Sequence, residues 1–154
     1  MQDDFAKLYL ENQLCFPLYA ASRLTTQIYE PYLQELGITY PQYLVLLVLW
    51  QHKSLSVNEI GHYLLLESNT LTPLLKRLEQ KALLQRKRSD QDERKVLISL
   101  TAQGEALKEA AVLIPDKIIS SISEQALSRE EILGFQKTLK KLVEVLNPKK
   151  QPNQ

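Results

Sequence analysis

Between residues 56 and 100 the apolar residues of this chain change their spacing from a helical to an extended period. Val57, Ile60 and Leu64 recur at intervals of three and four, which predicts a short helix opened by the capping box Ser56-Val57-Asn58-Glu59. A second helix begins with Ser68 as its N-cap and continues through Leu71, Leu74, Leu75 and Leu78. Only Leu65 to Glu67 separate the two. Pro73, just past the first turn of the second helix, removes one backbone donor and predicts a mild distortion there. Leu84–Arg88 and Lys95–Leu100 then read as strands, with Val96, Ile98 and Leu100 alternating onto one face. The segment between them, Ser89-Asp90-Gln91-Asp92-Glu93-Arg94, is charged and turn-prone. Two short amphipathic helices followed at once by a basic hairpin make a winged helix-turn-helix.

That module occupies only the middle of the chain. Residues from about Leu14 to Leu36 read as a helix, with Gly37 as its left-handed stop. Thr39-Tyr40-Pro41-Gln42 is a further helix start, with Thr39 capping and Gln42 reaching back. The helix that follows, to about His52, is apolar nearly all round and belongs at the buried centre. Thr101 caps a helix carrying Leu107, Ala110, Ala111, Ile114, Ile118 and Ile122, which Pro115 should kink. Ser128 and Glu131 open the last helix, whose Ile132, Phe135, Leu139, Leu142 and Leu146 form a packing seam. The stripes on the terminal helices either complete a monomeric core or meet a second copy. A two-fold dimer is the economical solution, and it would space two recognition helices ~34 Å apart for successive major grooves of a pseudo-palindromic site.

At 154 residues the chain suits one compact domain. Its net charge of +1 is uninformative, but the distribution is not. Residues 76–95 carry eight basic and four acidic groups, and residues 1–35 carry two basic and five acidic. A local basic zone suffices for backbone phosphates, although a solvated charged face has the same composition. The apolar run Leu44–Trp50 is far short of the ~20 residues that cross a bilayer. Asp3 and Asp4 stand where a signal peptide would be basic, so a cytoplasmic protein without membrane association is expected. The single cysteine suits a reducing compartment. His52 and His62 match no ligand spacing, and neither metal nor cofactor is expected.

The stretches Thr39–Trp50 (TYPQYLVLLVLW), Leu71–Gln80 (LTPLLKRLEQ) and Arg86–Thr101 (RKRSDQDERKVLISLT) resemble the MarR family of transcriptional regulators. Leu10–Phe16 (LENQLCF), taken with Tyr19, Tyr29 and Tyr40, is similar to the organic-hydroperoxide-sensing OhrR-type branch, and the lone cysteine to its one-cysteine subgroup. The resemblance runs from about residue 8 to 145. It implies a mainly α fold with a small β-hairpin wing, a winged helix-turn-helix with long terminal dimerisation helices. Residues 1–154 would be a single MarR-like domain, with the DNA-binding lobe at about 54–101 and dimerisation helices at about 8–36 and 102–147.

The expected DNA-binding set starts with Ser68, Asn69, Thr70 and Thr72, short polar residues that suit base edges and phosphates at a helix N-terminus. Lys76 and Arg77 are placed for the backbone, and Arg86, Lys87 and Arg88 supply the basic hairpin. The resemblance implies that Arg94 enters the minor groove with Asp92 orienting it. Glu67 and Asn69 depart from the aspartate and glycine usual in the branch, so the preferred operator is expected to differ.

Cys15 is the expected redox sensor. A lone cysteine in an apolar helix is otherwise a small core residue. Tyr19 lies at i+4 on the same helical face, and the resemblance places Tyr29 and Tyr40 near the thiol from the partner subunit. A thiol of pKa ~8.5 is mostly protonated at neutral pH, and phenolic donors favour the thiolate. With no second cysteine, the sulfenic acid formed by an organic hydroperoxide must condense with a low-molecular-weight thiol, cyclise or over-oxidise. Pro17 departs from the branch. Inside the helix it would bend the axis, whereas a helix starting near Phe16 would tolerate it and leave Cys15 at a positive N-terminus. The expected function is a dimeric repressor that releases its operator when Cys15 is oxidised. The alternatives are a MarR-type repressor released by a small aromatic ligand, with Cys15 structural, and a one-cysteine thiol peroxidase. No enzyme activity is expected.

Overall fold

The computed structural model describes residues 4–90, 92, 94–124 and 127–147. After two short 3-10 turns, the elements run α1 (Cys15–Glu35), α2 (Tyr40–His52), β1 (Ser54–Ser56), α3 (Val57–Leu64), α4 (Ser68–Gln80), β2 (Leu84–Arg88), β3 (Val96–Leu100), α5 (Ala102–Ala111), α6 (Ile114–Ser123) and α7 (Arg129–Leu146). The fold is mainly helical with a small antiparallel sheet, as the sequence predicts. It falls into two compact units that meet in sequence between Val112 and Leu113.

In the first unit, α2 is the hub. Tyr43, Val45, Leu46, Val48 and Leu49 are buried, which is the burial its all-round apolar sequence demands. Leu71, Leu75 and Leu78 of α4, Ile60 of α3 and Ile98 of β3 pack into the same core. All three capping boxes form, at Thr39/Gln42, Ser56/Glu59 and Ser128/Glu131, and Thr101 caps α5 by accepting from the Gly104 N–H. The turn between α3 and α4 lies directly over Gly61, where a Cβ would stand 2.7 Å from the Leu66 carbonyl oxygen. Only glycine admits that approach, so Gly61 sets how closely the two helices of the motif are joined.

Three local features differ from the sequence expectation. The sheet has three strands in the order β1-β3-β2, because the three residues Ser54–Ser56 pair with Leu97–Ser99. So short a strand carries too little alternation to be read. Glu67, not Ser68, is the N-cap of α4, and Ser68 is its first helical residue. The helix expected to kink at Pro115 is two helices, with Pro115 in the first turn of α6 where its missing N–H costs nothing. Pro73 leaves α4 continuous, and α1 also continues through a second interior proline, Pro31.

The second unit consists of α6 and α7, which pack on each other. Ile114 and Ile118 are the buried residues of α6. The seam of α7 stays largely open, with Phe135 and Leu146 more than half exposed. No helix among the described residues is long and apolar enough to cross a membrane.

Candidate nucleic-acid interface and thiol site

α4 presents its two faces as its spacing requires. Leu71, Leu75 and Leu78 go inward, while Asn69, Thr72 and Lys76 recur at three and four on the exposed face beside Ser68, Thr70 and Arg77. The first turn is ordered by its own hydroxyls. Ser68 donates to Asn58 Oδ1 of α3 at 3.2 Å, and Thr72 donates to the Ser68 carbonyl at 2.7 Å. Asn58 thus positions the start of α4, a role that its place in the capping box of α3 did not advertise.

The wing follows at once. Residues Leu84 to Arg88 pair in register with Leu100 to Val96. Arg86, Lys87 and Arg88 are exposed. Arg86 Nε lies 3.0 Å from Glu79 Oε2, so this cation ties the first wing strand to the last turn of α4. Lys87 meets Asp90 at 3.4 Å. Asp92 accepts the backbone N–H of Arg94 at 3.1 Å, shaping the tip that carries the exposed Arg94 side chain. Gln91 and Glu93 of the same loop lie outside the described residues.

Cys15 is exposed and is the first helical residue of α1. Pro17 therefore falls in the first turn, where it breaks no hydrogen bond. The structure thus selects the second of the two arrangements open in the sequence. Tyr19 is one turn on, 64% exposed, with the Arg23 guanidinium 5.8 Å from its ring.

Tyr29 and Tyr40 meet each other, with ring centroids 4.9 Å apart, but they do not meet Cys15 of the same chain. Cys15 and Tyr29 are fourteen residues apart on one continuous helix, so about 21 Å of axial rise separates them. Tyr43 completes an aromatic cluster, 6.0 Å from Tyr29 and 6.4 Å from Tyr40, and leads on to Trp50 at 6.2 Å. The sequence reading missed Tyr43, although its position three residues after Tyr40 on the same helix was a signal. Burial raises all three phenols above their ordinary value, and their mutual proximity adds to this at Tyr29 and Tyr43. They remain neutral hydrogen-bond donors well past neutral pH. Beside them, Thr26, Gln27, Glu30, Leu33, Gln34, Ile38, Thr39 and Tyr40 line a cavity of about 310 Å³.

A helix-turn-helix closed by a hairpin and carrying an exposed polar and basic face defines a winged-helix, DNA-binding transcriptional regulator. The comparisons agree. The family described as transcriptional regulator SarA/Rot matches residues 27–111. The organic hydroperoxide resistance transcriptional regulator of Bacillus subtilis (strain 168) is 52% identical over 149 residues, 97% of this chain and 99% of that protein. Among solved structures, reduced AbfR bound to DNA is 41% identical over 92% of this chain and 96% of that one, with a TM-score of 0.70. Overoxidized AbfR bound to DNA is 42% identical over 95% and 100%, also with a TM-score of 0.70. AbfR is a protein of Staphylococcus epidermidis. The chain belongs to the MarR family of transcriptional regulators, in the OhrR-type branch with one cysteine.

Proposed function

We propose that the chain is a redox-sensing repressor that binds a pseudo-palindromic operator as a homodimer and releases it when an organic hydroperoxide oxidises Cys15. The observation that carries this reading is the 52% identity, over nearly the whole chain, to a regulator of organic hydroperoxide resistance. An exposed thiol at the first turn of α1 is accessible to such a reagent. The 21 Å between Cys15 and Tyr29 supports the dimer, because Tyr29 and its neighbour Tyr40 can assist the thiolate only from a second copy, whereas Tyr19 lies one turn away on the same helix. The open apolar seam of α7 supports it too. In this reading residues from about 8 to 36 and about 102 to 147 are the dimerisation helices and about 54 to 101 the DNA-binding lobe of a MarR-like domain.

In this reading Ser68, Asn69, Thr70 and Thr72 meet base edges and phosphates, with Lys76, Arg77, Lys87 and Arg88 on the backbone. Arg94 enters the minor groove from a tip shaped by Asp92. Arg86 acts mainly by holding the wing to α4. The chemistry is a two-electron transfer. The Cys15 thiolate attacks a peroxide oxygen, the O–O bond breaks as an S–O bond forms, and the leaving alkoxide takes a proton to depart as the alcohol. Sulfur is oxidised to the sulfenic acid and the peroxide is reduced. The sulfenic acid then condenses with a low-molecular-weight thiol, with loss of water. The added bulk displaces the partner's tyrosines and shifts the two lobes from DNA-binding spacing. The chain acts once per oxidation rather than as an enzyme, and it works in the cytoplasm.

Gel shift on the protein's own promoter DNA tests this reading. Wild type should bind when reduced and release with a stoichiometric organic hydroperoxide and a low-molecular-weight thiol, and Cys15→Ser should bind and never release under the same treatment. Equal release by both proteins refutes Cys15 as sensor. The 310 Å³ cavity favours a second reading, release by a small aromatic ligand. In that case Cys15→Ser responds to the ligand as wild type does.

A further inference from the structure

We propose that Lys81 is a positioning residue that couples the tyrosine cluster to the DNA-contacting helix. The inference rests on the redox reading above and names the internal linkage through which that switch acts. Lys81 directly follows α4, and its backbone N–H closes the last turn by donating to the Arg77 carbonyl. Its ammonium reaches back to the turn between α1 and α2, where it donates to the Gly37 carbonyl and, at 3.2 Å, to Gln42 Oε1.

Among the described residues Gln42 is the buried polar side chain, 2% exposed. Its amide oxygen also accepts the Thr39 N–H at 3.0 Å, the bond that starts α2 one residue before Tyr40. Two donors from two elements therefore converge on one buried acceptor. Lys81 itself is exposed, and without it the oxygen keeps the Thr39 N–H, so what Lys81 adds is a direct link from the end of α4 to the start of α2. Gly37, the second anchor, has a φ of 68° and sits at the negative end of α1, where a cation is favoured.

The geometry makes α4 a lever. Leu71, Leu75 and Leu78 fix it in the core, Lys81 holds one end, and Ser68 lies at the other, about 20 Å away. Glu79, two residues before Lys81, carries the wing through Arg86. A displacement of Tyr40 moves Thr39 and Gln42, and Lys81 passes it to both DNA-contacting elements.

The test is operator affinity by fluorescence anisotropy, on a labelled duplex from the protein's own promoter, before and after stoichiometric cumene hydroperoxide together with a low-molecular-weight thiol. Wild type, Lys81→Met and Lys81→Arg are compared at fixed salt, each with its melting temperature. Loss of the two charge-assisted hydrogen bonds of this exposed ammonium should weaken reduced-state binding by Lys81→Met about three- to tenfold. Its oxidised-state affinity should match wild type within about twofold, since oxidation already slackens the strut, so the oxidised-to-reduced Kd ratio contracts by the same factor. Lys81→Arg should restore the wild-type ratio. A Lys81 that merely caps a helix lowers the melting temperature and leaves the ratio unchanged, and that result overturns the proposal while wild type still releases. A wild type that keeps its operator under peroxide overturns the redox reading and this inference together. Should Lys81→Met not fold, Lys81→Gln reads the same ratio.

Discussion

A methyl group at residue 104 should destabilise the protein by an amount the structure allows one to work out. A Cβ built at Gly104 stands 2.0 Å from the Leu83 carbonyl oxygen and 3.2 Å from Leu100 Cδ2. Even to reach the 3.0 Å limit of real contacts, α5 and the turn into β2 must part by about 1 Å. That turn is not free to move. The Leu83 carbonyl accepts the Thr101 N–H at 3.1 Å, and the Thr101 hydroxyl donates to the Ala82 carbonyl. The Gly104 carbonyl in turn accepts the Trp50 indole N–H at 3.0 Å. Overpacking of this kind costs about 1–3 kcal/mol, and a loosened indole hydrogen bond adds about 1 kcal/mol. Gly104→Ala is thus expected to lose about 2–4 kcal/mol, or roughly 4–16 °C of melting temperature for a chain of this size. Guanidinium unfolding followed by the fluorescence of Trp50, the chain's single tryptophan, measures it at matched protein concentration. The same shift disturbs the base of the wing, so operator affinity should fall as well. A loss under about 0.5 kcal/mol with unchanged affinity would refute the reasoning that α5 packs rigidly on this turn.

Arg94→Ala should weaken operator binding by roughly 1–3 kcal/mol at fixed salt, and unchanged affinity would remove Arg94 from the interface. Hydrogen bonds from the Ser56 side chain and backbone hold the Glu59 carboxyl below its ordinary value of 4.5, and Ser128 does the same for Glu131. Their contribution to stability is present above pH 4.5 and disappears as pH falls through the lowered folded values, so the Ser56→Ala and Ser128→Ala stability deficits should shrink in an acid titration. For Tyr29, Tyr40 and Tyr43, whose folded values are raised above 10.0, the sign reverses. Their contribution is complete below pH 10 and is lost as pH rises through the raised values. Ultraviolet absorbance of the phenolates should show three tyrosines ionising late in the folded protein, and an alkaline titration in which all seven ionise together would refute the cluster.

Local signals carried most of the fold. The capping boxes at Thr39, Ser56 and Ser128 each placed a helix start correctly, because a cap is specified within four residues of chain. Features that depend on distant partners were not legible. β1 exists only because β3 lies beside it, and three residues carry no period of their own. Pro115 read as a kink because periodicity runs on through Ile114 and Ile118, whereas the chain breaks at Val112–Leu113 and restarts. The exposed face of α4 followed from its spacing, but the use of Arg86 to hold Glu79 depends on how β2 packs against α4. Likewise Tyr43 and Lys81 belong to the site only once the turn between α1 and α2 is folded.

The length of α1 has a consequence for how the protein would respond inside a cell. A helix of 21 residues keeps the thiol at its start and Tyr29 too far apart for one polypeptide to complete a sensor alone. Under the proposed reading, sensing is a property of encounters between chains. At concentrations below the pairing constant, the number of working sensors rises with the square of the amount of protein, so halving the protein leaves about a quarter of the sensors. Dosage would then set the sensitivity of the response, and α1 is the element that makes it so.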